Sequence, residues 1–218
     1  IRSRMDTDLQ TFLVEDSAIR ASQNSTPLVA EYRFGGSTAL PVVLADGRVL
    51  RFRGAIDRVD RVDSGGVAVI DVKSGKPDHY RPIRADTPFP TGTRLQLPIY
   101  GLAAETLGHG PTGDAAFAFI GTERSGDRRI GYQLTPEVLD EFATVLERIV
   151  AGIEAGAFPN HPPAPTRFGG FTCPHCSPDG LDTRRLHAAC DRKASDPSVA
   201  LHLQHIAEPV DHESEESR

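Results

Sequence analysis

Gly54-Ala-Ile-Asp-Arg58, followed by Val67-Ala-Val-Ile-Asp-Val-Lys73, is the stretch of this 218-residue chain that decides its fold. Past the glycine, apolar and polar residues alternate to Val62, the period of a half-buried strand. Residues 67–70 form an unbroken apolar run after a glycine pair, as a strand covered on both faces does. Between the two runs, Asp63-Ser-Gly-Gly66 turns the chain. In a hairpin closed by Ser64-Gly65, Asp57 and Asp71 nearly oppose each other, and a one-residue bulge at the glycines would align them fully. Asp71 and Lys73 are two residues apart and so share a face. Two carboxylates and an ammonium converge at one end of the hairpin. Asp60 and Asp63 are expected to be solvated or salt-bridged surface residues.

Outward from the hairpin, Leu9, Phe12, Leu13 and Ile19 stand near helical spacing and predict an amphipathic helix over residues 5–22. Residues 28–34 alternate as a strand that Gly35-Gly36 ends. Residues 41–44 and 48–53 read as strands joined by a turn at Asp46-Gly47. A loop with many prolines and basic residues covers 74–91. Thr93-x-x-Gln96 is a capping-box signature for a helix reaching about residue 107. Residues 115–120 and 130–134 read as two more strands. Thr135-Pro136 then opens a helix with Leu139, Phe142, Leu146, Ile149 and Ile153 on one stripe, ended by Gly156. This order predicts an α/β domain with a mixed central sheet flanked by helices.

Carboxylates that can hold a divalent cation, with a lysine beside the attacking water, are what a metal-dependent phosphodiesterase needs. Taken together, Gly-x-Ile-Asp57, Ile-Asp71-x-Lys73-x-Gly75 and Gln96-Leu-Pro-x-Tyr100 resemble the motifs of the PD-(D/E)XK nucleases. The likeness is to the RecB/AddB-type domain at the C-terminus of helicase–nucleases. It covers residues 28–197 and implies a restriction-endonuclease-like core. By that resemblance Asp57 and Asp71 are carboxylates for Mg2+ or Mn2+, the Val72 backbone carbonyl is a further ligand, and Lys73 orients and activates the water. It also implies that Gln96 and Tyr100, four apart on one helix face, look toward the site and the DNA backbone. From the residues alone, Gln96 equally completes the capping box and Tyr100 equally packs in the core.

Lys76, Arg81 and Arg84, with His79 and Tyr80, are either phosphate contacts for DNA or a solvated basic loop. Glu31 is either an outer-shell contact or an exposed strand residue. The implied function is divalent-metal-dependent DNA hydrolysis, exonucleolytic, in double-strand-break repair and recombination. The implied partner is a helicase subunit or a helicase domain of the same polypeptide. A silent nuclease fold that guides DNA or acts as a scaffold is the competing expectation. Relatives carry an upstream histidine as another metal ligand, whereas here no histidine precedes His79. The expectation is that the chain is a fragment of a longer protein or has lost that ligand.

Cys173-Pro-His-Cys176, with His187 and Cys190, has the spacing of a small Zn2+ site. Relatives instead bind a [4Fe–4S] cluster through one upstream cysteine and three close ones. Here only two are close and none lies upstream, so zinc, an iron–sulfur cluster completed by a further cysteine, and no metal all stand. Two of the three cysteines in a Cys-x-x-Cys suit a reducing cytoplasm. No apolar run approaches a membrane span and no signal-peptide pattern opens the chain.

The net charge of −6 is concentrated in a tail where Glu208, Asp211, Glu213, Glu215 and Glu216 face only Arg218. The expected organisation is an N-terminal helical segment (1–26), the nuclease core (27–158), an irregular Cys-containing strap (159–203) and a disordered acidic tail (204–218).

Overall fold

The computed structural model describes residues 2–37, 39–121, 128–158, 183–197 and 199–200. The chain divides into two compact units, residues 1–90 with 94–143 and residues 91–93 with 144–218. The elements in order are α1 (Arg2–Ser22), β1 (Ser25–Phe34), β2 (Leu40–Val43), β3 (Val49–Phe52), β4 (Gly54–Val62), β5 (Val67–Lys73), α2 (Gln96–Glu105), β6 (Thr112–Phe119), β7 (Arg129–Gln133), α3 (Pro136–Glu154) and α4 (Thr183–Ala194). Short 3-10 turns at Asp78–Tyr80 and Pro90–Gly92 interrupt the loop between β5 and α2.

The central sheet has the order β1-β4-β5-β6-β7. β5 and β6 are parallel and the other three pairs antiparallel. A parallel pair needs a crossover connection, and α2 supplies it, packing on β4, β5 and β6. This is the mixed sheet flanked by helices that the element order predicts, in a restriction-endonuclease-like arrangement. β2 and β3 form a separate hairpin.

Residues Val67 to Asp71 of β5 are all buried, as the run without alternation implies. On one face, Ala68 and Ile70 meet Ala118 of β6 and Phe12 of α1. The other face carries Val67, Val69, Phe117 and Phe119, each at most 1% exposed. At Gly131 a Cβ would stand 2.7 Å from the Ala116 Cβ, so only glycine lets β7 lie this close to β6.

α1 departs from the predicted face. Leu9 and Leu13 are exposed, and the helix buries Phe12 and Asp16 instead. The reason is electrostatic: Asp16 receives Arg58 of β4 through two hydrogen bonds of 2.7 and 2.9 Å, and Arg20 through one of 3.0 Å. Asp60 is also corrected, being buried at 1% exposure beside Arg58 at 2.9 Å instead of lying at the surface. α3 begins as expected, with Thr135 Oγ1 accepting the Val138 N–H at 3.4 Å. Its buried residues are Val138, Phe142, Val145 and Leu146, while Ile153 at the end of the predicted stripe is exposed.

Candidate active site

The β4–β5 ladder runs from Arg61↔Val67 to Arg58↔Ile70. The connection is a three-residue loop, Asp63 to Gly65, in which Gly65 N–H donates to Val62 O at 3.0 Å and Val62 N–H donates to Gly66 O at 3.1 Å. Gly65 has φ 104°, a conformation that favours glycine. The expected two-residue turn plus bulge is therefore replaced by one odd-length loop with the same consequence. One step beyond the last ladder pair, the register sets Asp57 across from Asp71, their side chains on one face.

At that step the two strands part. In place of an inter-strand carbonyl, Asp57 Oδ2 accepts the Val72 N–H at 2.6 Å. The N–H and C=O of a strand residue point to the same edge, so the Val72 carbonyl also looks toward Asp57. Asp71 is 3% exposed, and its Oδ2 takes no well-directed hydrogen bond although the Lys73 ammonium lies against it in an ion pair. Burial pushes the Asp71 carboxyl above the ordinary carboxylate range; Lys73 opposes this and the Asp57 charge adds to it. For Lys73, burial alone would lower the ammonium, but Asp71 overcomes it and holds the group charged. Lys73 Nζ also sits 5.6 Å from the centre of the Phe117 ring.

Gln96 and Tyr100 come to the same place from α2. Gln96 Nε2 donates to the Tyr100 hydroxyl at 3.4 Å. Burial raises the Tyr100 phenol, Asp71 and Asp57 raise it further, and Lys73 and Gln96 act against them. The helix starts later than the capping box at Thr93 predicts. The residue before α2 is Leu95, without a side-chain capping hydrogen bond, and Gln96 is already in the first turn. Its amide goes along the helix face to Tyr100.

Tyr80 joins them from the loop after β5, its ring 4.7 Å from Phe117 and 5.1 Å from Phe119. It also contributes to the field at Lys73. In the sequence it was one residue of a basic loop, and nothing local marked it as the ring that lines the site. Lys76, Arg81 and Arg84 are exposed in that loop. Arg81 pairs with Asp78 at 3.3 Å, and Arg84 bridges the backbone of Thr87. Glu31 falls between the β1–β4 pairs Ala30↔Arg58 and Tyr32↔Ile56, with φ 52° and an exposed side chain. Cys173 and Cys176 lie outside the described residues, as does the His187 side chain; Cys190 is half-buried on α4.

Among the described residues no three His, Cys, Asp or Glu side chains gather around one point. Two carboxylates and a backbone carbonyl are nonetheless an all-oxygen donor set that suits a hard cation such as Mg2+. The donors therefore fit the group, with the remaining coordination positions left to water and substrate.

Among the described residues no helix is long and apolar enough to cross a membrane. A search of curated proteins finds no match. A family model for the PD-(D/E)XK nuclease superfamily matches residues 4–179, a span that contains the whole central sheet and the Asp57–Asp71–Lys73 cluster. The chain belongs to the PD-(D/E)XK nuclease superfamily.

Proposed function

We propose that this chain is a divalent-metal-dependent deoxyribonuclease domain of the RecB/AddB-like kind, working with a helicase during double-strand-break repair. The observation that carries the reading is the pairing of Asp57 with Asp71 at the open end of the β4–β5 hairpin, with Lys73 against Asp71. The Gln96–Tyr100 pair turned toward the same carboxylates supports it.

Asp57, Asp71 and the Val72 carbonyl are the groups that would hold Mg2+ or Mn2+. When bound, such an ion neutralises charge on the scissile phosphate and acidifies the attacking water. The protein's own groups do the rest. The Val72 N–H fixes the Asp57 carboxylate in one orientation. Lys73, kept charged by Asp71, donates to phosphate oxygen as charge develops there. Tyr100, oriented by Gln96, offers a neutral hydroxyl to the DNA backbone. In the exposed loop, Lys76 and Arg84 would meet phosphates further along the strand.

A second reading, a silent nuclease fold that guides DNA, is favoured by one observation: only two side-chain carboxylates meet at the site among the described residues. One experiment separates the two. The 218-residue chain is incubated with linear DNA and Mg2+ or Mn2+, beside Asp71→Ala. Cleavage by the parent that vanishes in the variant supports the nuclease. DNA binding without cleavage selects the guiding module. Equal cleavage by both proteins removes Asp71 from the chemistry and overturns the assignment.

A further inference from the structure

Arg94 has an unusual set of properties for a loop arginine. Its backbone is left-handed, at φ 61°, two residues before the first turn of α2. An arginine there carries a steric cost that glycine would avoid. Its guanidinium lies 4.4 Å from the centre of the Tyr80 ring. Tyr80 in turn stands on Phe117, the ring beneath Lys73 Nζ. The side chain is half-buried, yet among the described residues it meets this ring and no carboxylate. Ordinarily a partly buried cation is paired with an acid, and the acids of this site are already engaged with Lys73 and the Val72 N–H. Arg94 is thus a cation held over Tyr80, at a backbone cost, and Tyr80 is a ring that packs on Phe117 and acts on Lys73.

A guanidinium fixed on one face by an aromatic ring keeps its N–H edge available for a planar or tetrahedral oxyanion. A nucleic-acid strand laid across Lys73 carries such anions at regular intervals on either side of the bond to be cut. We propose that Arg94, stacked on Tyr80, clamps a backbone phosphate of a single nucleic-acid strand beside the scissile one, and so sets the strand's register in the site. The proposal rests on the nuclease reading. In it Tyr80 is a positioning residue: Arg94 lies over its ring, so its task is to hold the guanidinium and not to stack a base. The left-handed backbone at Arg94 aims the side chain at the ring, where a residue of ordinary φ would leave the loop on a different course.

The test is the binding of a short labelled single strand, followed by fluorescence anisotropy against salt. It uses the 218-residue chain in an Asp71→Asn background, so that the strand is not cut. Arg94→Ala should weaken binding about tenfold or more and flatten the slope of log K against log salt by about 0.7, the share of one single-strand phosphate. Arg94→Lys should keep the slope and lose part of the affinity, because an ammonium lacks the flat face that rests on Tyr80. Tyr80→Leu should behave in the same way. Arg94→Gly relieves the left-handed strain, so it should melt no lower than the parent and still bind as weakly as Arg94→Ala.

A lowered melting temperature in Arg94→Gly would make Arg94 a structural residue and overturn the proposal. Unchanged affinity and salt slope in Arg94→Ala would also overturn it, while strand binding by the parent would leave the nuclease reading standing. A parent chain that binds no strand at all would sink both.

Discussion

Asp57 Oδ2 accepts the backbone N–H of Val72 at 2.6 Å, across the point where β4 and β5 separate. This bond lets one carboxylate do two things. It satisfies the donor that the ended ladder leaves open, and it keeps the carboxylate charge close enough to act on Asp71.

Asp57→Ala should therefore cost stability as well as function. The Val72 N–H loses its acceptor, at about 1 kcal/mol for a half-buried donor. Asp57→Asn keeps an amide oxygen in the acceptor position and should stay within about 0.5 kcal/mol of the parent. Both should abolish metal-dependent cleavage. Urea denaturation and a nuclease assay on the two variants check this, and equal stability of Asp57→Ala and Asp57→Asn would count against the hydrogen bond.

Asp71 behaves oppositely when no cation is bound. Its carboxyl is raised by burial, with Asp57 adding to the effect, so folding favours its protonated form and stability is lost as pH rises through its folded pKa. Asp71→Asn removes that loss but leaves Lys73 without its ion-pair partner, so in chelator the parent's advantage over the variant should shrink as pH rises through the Asp71 folded pKa. The parent should gain about 2.7 kcal/mol when Mg2+ or Mn2+ reaches roughly a hundred times its Kd, seen as a rise of several degrees in melting temperature. Asp71→Asn should show no such rise.

Lys73→Ala should lower cleavage by about 100-fold or more, the scale on which a single donor to developing charge acts. Lys73→Arg retains the charge against Asp71 but changes reach and shape. It should recover the metal-free stability lost in Lys73→Ala without recovering the rate. A Lys73→Ala enzyme as fast as the parent would remove the lysine from the chemistry.

The α1 latch has a pH signature. Burial alone would raise Asp16, but Arg58 and Arg20 overcome it and hold the carboxyl below its usual 3.8. A depressed folded pKa gives stability that is present above the unfolded value and lost as pH falls through the folded one. Asp16→Asn strips the half-buried Arg58 of one carboxylate and should cost about 3 kcal/mol at neutral pH. The gap between parent and variant should stay constant down to about pH 4 and close below it. Denaturation curves across that range measure it, and a gap that widens in acid would contradict the latch.

The sequence by itself determined the hairpin, the crossover helix and the cluster of Asp57, Asp71 and Lys73. Period-2 alternation, the residue count across the turn and the two-residue spacing are local properties, and strand geometry turns them directly into position. That Gln96 and Tyr100 share a helix face followed for the same reason, whereas the resemblance to the nuclease motifs alone turned that face toward the carboxylates. Only tertiary structure decided the rest. The apolar residues of α1 suggested that Leu9 and Leu13 face the core, yet an ion pair to Arg58, 42 residues from Asp16, turned that helix otherwise. The helix start predicted at Thr93 gave way to a left-handed Arg94, because that arginine's side chain lies over Tyr80 on a turn that no local pattern connects to it. Periodicity fixes which residues share a face. What that face meets depends on contacts between residues far apart in the chain, and these form only when the chain is packed.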